Sequence, residues 1–158
     1  ILFEYFIKKL FIRDGQEVFS KFGEALKVPT GAIPRQLQPD ILVHREKNTI
    51  ALFDVKYKHF SKRDGVKRED VFQLHTYVGQ YSNHYKIDKC GFIFPTHGKN
   101  EVITQEIKVM GQTIPFQILL IGVPDIDRVK EVSKEKRSEI FAQKFKSNCE
   151  EFVKQFAK

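Results

Sequence analysis

The sequence predicts a mixed α/β domain, with a central sheet flanked by helices. Three observations carry that expectation. Apolar residues at positions 2, 3, 6, 7, 10 and 11 recur with helical spacing, and Phe141, Phe145, Cys149, Phe152 and Phe156 do so at the other end. Between them lie five β-type runs: 41–45, 49–57, "CGFIFP", "EVITQEIKV" and "QTIPFQILLIGV". A further helical stretch, from about Glu69 to His84, falls among these runs.

Taken in order, the first helix covers residues 2–12 and ends at Asp14-Gly15. Residues 16–27 suit a helix through Val18, Phe22, Ala25 and Leu26, and equally suit a strand. "VPTGAIPRQLQP", with three prolines and a glycine, is expected to be loop. The polar "REKN" joins the first two strands, and the basic "KHFSKRDGVKR" leads into the middle helix. The chain from Arg128 onward is expected to be an amphipathic helix clasping the sheet, with a charged and mobile start at 130–139.

The 158 residues fit one domain around one core, without an internal repeat or a dividing linker. With 41% hydrophobic and 30% charged residues, the composition is that of a soluble globular protein, and fifteen phenylalanines supply core material. The apolar run "ILLIGV" is far short of the ~20 residues that cross a membrane. The opening "ILFEYFIKKLFI" carries Glu4, Lys8 and Lys9, so it is neither a signal peptide nor a membrane span. Because it starts without Met inside an apolar pattern, residues 1–158 are expected to be one domain of a longer chain. Cys90 and Cys149 form no CxxC pair, which points to a reducing, cytoplasmic setting and excludes a four-cysteine metal site made by this chain alone. A formal charge of +7 favours a polyanionic partner such as nucleic acid.

The chemistry concentrates in "PDILVHREKNTIALFDVKYK", residues 39–58. Residues two apart in a strand share a face, so Asp54 and Lys56 project together while Val55 enters the opposite layer. The preceding "TIALF" implies a buried strand, where a carboxylate is costly unless it meets a cation or a metal. If 41–45 and 49–57 form an antiparallel hairpin, Asp40 opposes Asp54 only when the loop has an odd number of residues centred on Lys47. A two-residue Lys47-Asn48 turn would send the two carboxylates to opposite faces. Given the odd loop, or a bulge near Asp40 in its place, two acids converge beside Lys56. Such an oxygen-rich edge suits Mg²⁺ or Mn²⁺, with a phosphodiester as third partner and the lysine orienting the attacking water or stabilising transition-state charge.

The pair P-D and D-x-K in a hairpin resembles the PD-(D/E)xK nuclease superfamily. "QLHTY" at 73–77 is similar to the Q-x-x-x-Y of its RecB-like members, and places Gln73 and Tyr77 on one helical face. Glu4, in the otherwise apolar "LFEYF", matches the additional acid that such nucleases draw from their first helix. The order of acid helix, P-D strand, D-x-K-Y-K strand and D-x-x-Q-x-x-x-Y helix most resembles the McrC-type nuclease domains of GTP-dependent McrBC restriction systems, over residues 3 to about 81. The resemblance implies a restriction-endonuclease-like core and a Mg²⁺-dependent DNA endonuclease. It implies metal binding by Asp40, Asp54, the Val55 carbonyl and Glu4, service of the water by Lys56, and positioning by Gln73 and Tyr77. It also implies an AAA+ GTPase partner of the McrB kind, docked through an N-terminal region that this stretch of chain lacks. No G-x-x-x-x-G-K-[ST] occurs, consistent with a GTPase on a separate subunit, and no base-reading motif is seen.

The basic loop offers Lys58, Lys62, Arg63, Lys67 and Arg68 for phosphate contacts, against Asp64, Glu69 and Asp70; a solvated mixed-charge loop is the ordinary alternative. The five histidines lack a metal-ligand spacing, and His75 points away from the Gln73-Tyr77 face. Two rival readings stay open. One is a RecB-like exonuclease or repair nuclease, and the other a catalytically inactive DNA-binding or assembly module of the same fold.

Overall fold

The computed structural model describes residues 2–18, 26–28, 35–109, 111–125 and 133–158. Helix α1 (Leu2–Arg13) turns Ile7 and Phe11 inward, and the chain leaves it through Gly15 at φ 83°, the left-handed conformation that suits glycine at a helix end. Strand β1 (Glu17–Val18) follows, then β2 (Leu26–Val28) and β3 (Arg35–Leu37), β4 (Ile41–His44) and β5 (Thr49–Val55). After α2 (Arg68–Tyr81) come β6 (Lys86–His97), β7 (Glu101–Val109), β8 (Gln112–Val123) and α3 (Lys134–Ala157).

Among the described residues one six-stranded sheet runs in the order β1-β4-β5-β6-β8-β7. It is mixed: β5, β6 and β8 are parallel neighbours, whereas β1 on β4, β4 on β5 and β7 on β8 are antiparallel. The even positions Leu42, Ile50 and Leu52 face α2, where Leu74, Tyr77, Val78 and Tyr81 cover them. The odd positions Ile41, Val43, Ala51, Phe53 and Val55 face α1 and α3, meeting Ile7, Phe11, Phe152 and Phe156. The sheet is thus enclosed on both sides, and β4 and β5 read as near-continuous apolar runs for that reason. No helix among the described residues is long and apolar enough to cross a membrane.

Two expectations change. The segment 28–39 is not all loop: β2 and β3 pair antiparallel, Leu26 with Leu37 through Val28 with Arg35. Three positions pair, and residues 29–34 between the two strands lie outside the described residues. Within the ambiguous 16–27, residues 17–18 and 26–28 are strand, and 19–25 lie outside the described residues. The middle helix also closes earlier than expected, at Tyr81, with Ser82 as its cap. The expected start of the last helix at 128–132, with part of its charged 130–139 stretch, lies outside the described residues as well.

Helix α3 is fastened at both ends. The Ser133 hydroxyl accepts from the Lys136 N–H at its start. At its end Arg45 donates to the Phe156 and Ala157 carbonyls at 3.2 and 3.0 Å, and Lys89 also donates to the Phe156 carbonyl. Cations there complement the helix dipole. Lys89 is buried, and burial, aided by the Arg45 charge and opposed by Asp88, pulls its pKa down to about 8.

The centre of the sheet tolerates no side chain at Gly91. It pairs with Gln117, and a Cβ there would stand 1.7 Å from the Gln117 carbonyl oxygen. Gly91→Ala must push two central strands apart, so it is expected to cost about 3 kcal/mol, read as a lowered denaturation midpoint with unchanged slope.

Candidate active site

The hairpin turn decides where the acids go. Arg45 N–H donates to the Thr49 carbonyl at 2.8 Å, and Thr49 N–H to the Glu46 carbonyl at 2.6 Å. Three residues, Glu46, Lys47 and Asn48, therefore form the loop, with Lys47 and Asn48 at positive φ. The register runs from His44 opposite Ile50 to Ile41 opposite Phe53, symmetric about Lys47. Continued by one residue, it sets Asp40 across from Asp54, on the face covered by α2. The odd loop required by the sequence is present.

Asp40 shares a hydrogen bond with Asp54, and one of its oxygens also accepts the Val55 N–H at 2.8 Å. Asp54 is only 6% exposed. Burial, then the Asp54 charge and the hydrogen bond between the two, push the Asp40 carboxyl up to about 7, against the lowering effect of the Val55 N–H. Lys56 answers this negative cluster. Its Nζ lies 2.6 Å from Asp54 Oδ2 and 2.7 Å from Asp70 Oδ1, and 5.7 Å from the centre of the Phe92 ring. Burial pulls the Lys56 pKa down, yet the hydrogen bonds and charges of Asp54 and Asp70 outweigh it and the net shift is upward. The ammonium form is therefore held firmly.

Helix α2 brings the remaining polar groups. Asp70, Gln73 and Tyr77 stand three and four residues apart, on one face. Gln73 Nε2 donates to Tyr77 Oη at 2.8 Å. Tyr77 is 2% exposed, and burial together with the Asp54 charge raises its pKa to about 12 despite the Gln73 hydrogen bond. The phenol keeps its proton and is placed within the field of the acids.

Glu4 comes from α1, in the opposite layer. Its charge is felt at Asp40, while its Oε1 holds Lys8 Nζ at 2.6 Å. Among the described residues no three acidic, histidine or cysteine groups gather closely enough to enclose an ion; Asp40 and Asp54 are the pair in contact. Of the basic loop, Lys62 is tied to Glu101 at 2.8 Å and Arg68 lies over the Phe72 ring at 5.1 Å. Lys58, Arg63 and Lys67 are exposed and, among the described residues, form no ion pair. His59 stacks on His97, with ring centroids 4.1 Å apart, and His75 lines a pocket beneath the loop.

Sequence reasoning counted Asp70 as a loop charge, whereas the structure makes it the second anchor of Lys56. The spacing D-x-x-Q-x-x-x-Y carried that signal, because it aligns Asp70 with Gln73 and Tyr77.

With this geometry in place, the comparisons with known proteins are specific. Residues 1–95 match a family model described as McrBC 5-methylcytosine restriction system component. The chain belongs to this family. Its fold is similar to McrC in the refined half-complex from the tetradecameric assembly of Thermococcus gammatolerans McrB AAA+ hexamers with bound McrC. That likeness has a TM-score of 0.51 at 14% identity and covers 98% of this chain but 32% of the other. The chain thus spans about a third of the length of that structure's McrC, and the restriction-endonuclease-like core is the part they share. No curated protein matches the chain.

The Asp40-Asp54 contact has a pH signature in this McrC-like domain. Between about pH 4 and 7 the folded, metal-free protein keeps an Asp40 proton that the unfolded chain releases. The stability this gives is complete below about pH 4 and is lost as pH rises through about 7. Asp40→Asn keeps an oxygen for the Val55 N–H and removes the repulsion. In EDTA its melting temperature is expected to exceed the parent's at pH 8, by about 2–4 °C for each kcal/mol relieved. The gap should narrow as pH falls below about 7 and close by about pH 4; a gap that does not change with pH refutes the raised Asp40 pKa.

Proposed function

We propose that this chain is the DNA-cleaving module of a GTP-dependent McrBC-type restriction system, a metal-dependent endonuclease that hydrolyses phosphodiester bonds in modified DNA. The observation that carries the proposal is the contact between Asp40 and Asp54, from adjacent antiparallel strands, beside an ammonium group shared with Asp70.

The donor set fits Mg²⁺ or Mn²⁺. Burial and the neighbouring Asp54 charge, which together raise the Asp40 pKa to about 7, disfavour two bare carboxylates here, and a hard divalent cation would relieve them. Asp40 and Asp54 would hold it, with the Val55 carbonyl and Glu4 completing the set once Glu4 leaves Lys8. Bound there, the ion supplies Lewis-acid polarisation of a phosphate oxygen and a more acidic water. The chain's own residues do the rest. Lys56 donates to the water or to a phosphoryl oxygen, holding charge that grows in the transition state while remaining protonated throughout. Asp70 fixes its Nζ from the far side. The Gln73 amide and Tyr77 hydroxyl position the water or the strand. Lys58, Arg63 and Lys67, assisted by Lys62 and Arg68, take phosphates of the flanking DNA.

The partner in this reading is an AAA+ GTPase of the McrB kind, in the cytoplasm, as suits a restriction system. Modification is read outside this domain in this reading, which agrees with a sequence that carries no base-reading motif.

The test is supercoiled circular plasmid with Mg²⁺ or Mn²⁺, with and without a cognate McrB-type GTPase and GTP. Asp54→Ala and Lys56→Ala are each expected to lower cleavage about 10²–10³-fold. Asp70→Asn, which leaves the acid pair intact, is expected to cost about tenfold. Equal cleavage by the parent and the Asp54 and Lys56 variants would refute the site. Cleavage restricted to linear ends would replace the endonuclease with an exonuclease.

A further inference from the structure

The acids and Lys56 occupy one side of the sheet end, and the next residue, Tyr57, belongs to the other. Following the strand alternation, Tyr57 falls on the side of α1 and α3 and borders a hollow of about 750 Å³ with Leu2, Tyr5, Phe6, Lys9 and Pro95. The walls are almost wholly apolar, yet they are not covered: Leu2 is 83% exposed, Tyr5 58% and Tyr57 53%. Exposed apolar surface concentrated in one place marks a binding surface rather than ordinary scatter.

Its position narrows the ligand. Tyr57 follows Lys56, whose ammonium is paired with Asp54, so the hollow adjoins the acid cluster. Tyr5 follows Glu4 on α1, and Lys9 Nζ lies 5.4 Å from the centre of the Tyr5 ring. Two tyrosine rings on one hollow, an ammonium over one of them, and each tyrosine next in sequence to a residue of the proposed site match a single chemical unit, a nucleotide. Its base stacks on the rings, and its phosphate turns toward the acids and Lys56.

Resting on the proposed nuclease reading, we propose that this hollow receives an unstacked nucleobase from the strand being cut, with Tyr57 and Tyr5 as its stacking faces. An aromatic wall can take only a base that has left its own stack, so the domain favours DNA that is locally unpaired or easily opened at the cleaved phosphate. Unpairing of this kind is independent of which base is modified. It makes Tyr57 a substrate-positioning residue rather than a ligand of the metal.

A short single-stranded oligonucleotide carrying 2-aminopurine, bound to the protein with Ca²⁺ in place of Mg²⁺, tests the inference. Stacking quenches the fluorescence. Tyr57→Phe is expected to keep the quench. Tyr57→Ala and Tyr5→Ala are expected to lose it and to weaken binding on the order of tenfold, with melting temperatures unchanged. Cleavage of the same oligonucleotide with Mn²⁺ is followed in parallel. An equal quench and equal affinity in the alanine variants overturns the stacking site, and if the parent still cleaves, the nuclease reading survives that loss. A quench that needs Tyr57 in a protein that cleaves with no metal supports the stacking site and overturns the nuclease reading instead. Binding weakened equally by Tyr57→Phe and Tyr57→Ala overturns stacking in favour of a hydroxyl contact.

Discussion

Two carboxylates in contact, one of them almost wholly removed from water, form the constraint around which the rest of this domain is arranged. Burial and the charge of Asp54 both disfavour a bare Asp40 carboxylate, and the fold answers in two ways: Asp40 retains a proton up to about pH 7, and Lys56 is drawn in to 2.6 Å from Asp54. Neither group would be stable at that position in an apolar strand without the other elements. The sheet therefore carries an electrostatic debt at its end that a divalent cation would discharge, and an unfavourable arrangement kept in a folded protein is a common mark of a functional site.

The supports of that constraint come from distant parts of the chain. The three-residue turn at 46–48 fixes the hairpin register and so the side to which Asp40 points. A turn shorter by one residue would move every side chain of β4 to the other face, sending Asp40 away from Asp54 toward the layer of α1 and α3. Helix α2 closes the cluster from above with Asp70, Gln73 and Tyr77, while its apolar face packs on Leu42 and Leu52. The central strands approach closely at Gly91, which pairs with Phe53 next to Asp54. On the other face, Arg45 and Lys89 hold the end of α3 against the sheet and keep Phe156 on Phe11 and Phe53.

Much of this was legible in the linear order of residues. The alternation in "FDVK" put Asp54 and Lys56 on one face, and the structure joins them by an ion pair. The demand for an odd loop about Lys47 followed from the period of a strand alone, and the register satisfies it. Two of the later strands fall where periodicity placed them; β6 is longer than the expected "CGFIFP", running Lys86–His97, and the phenylalanine-spaced last helix is described from Lys134 and not from Arg128. What periodicity misjudged was the proline-rich 28–39, because a three-residue ladder needs only backbone hydrogen bonds and leaves no pattern in the side chains.

The sequence by itself determined the kinds of element, the pairing of Asp54 with Lys56 and the chemistry they suit, because these depend on neighbours within a few residues. Only the tertiary structure decided that Asp70 is the second holder of Lys56 and that Tyr57 shares a hollow with Tyr5. Those relations join residues of different layers. Their geometry is set by how α1, α2 and the sheet pack together, which no local periodicity encodes.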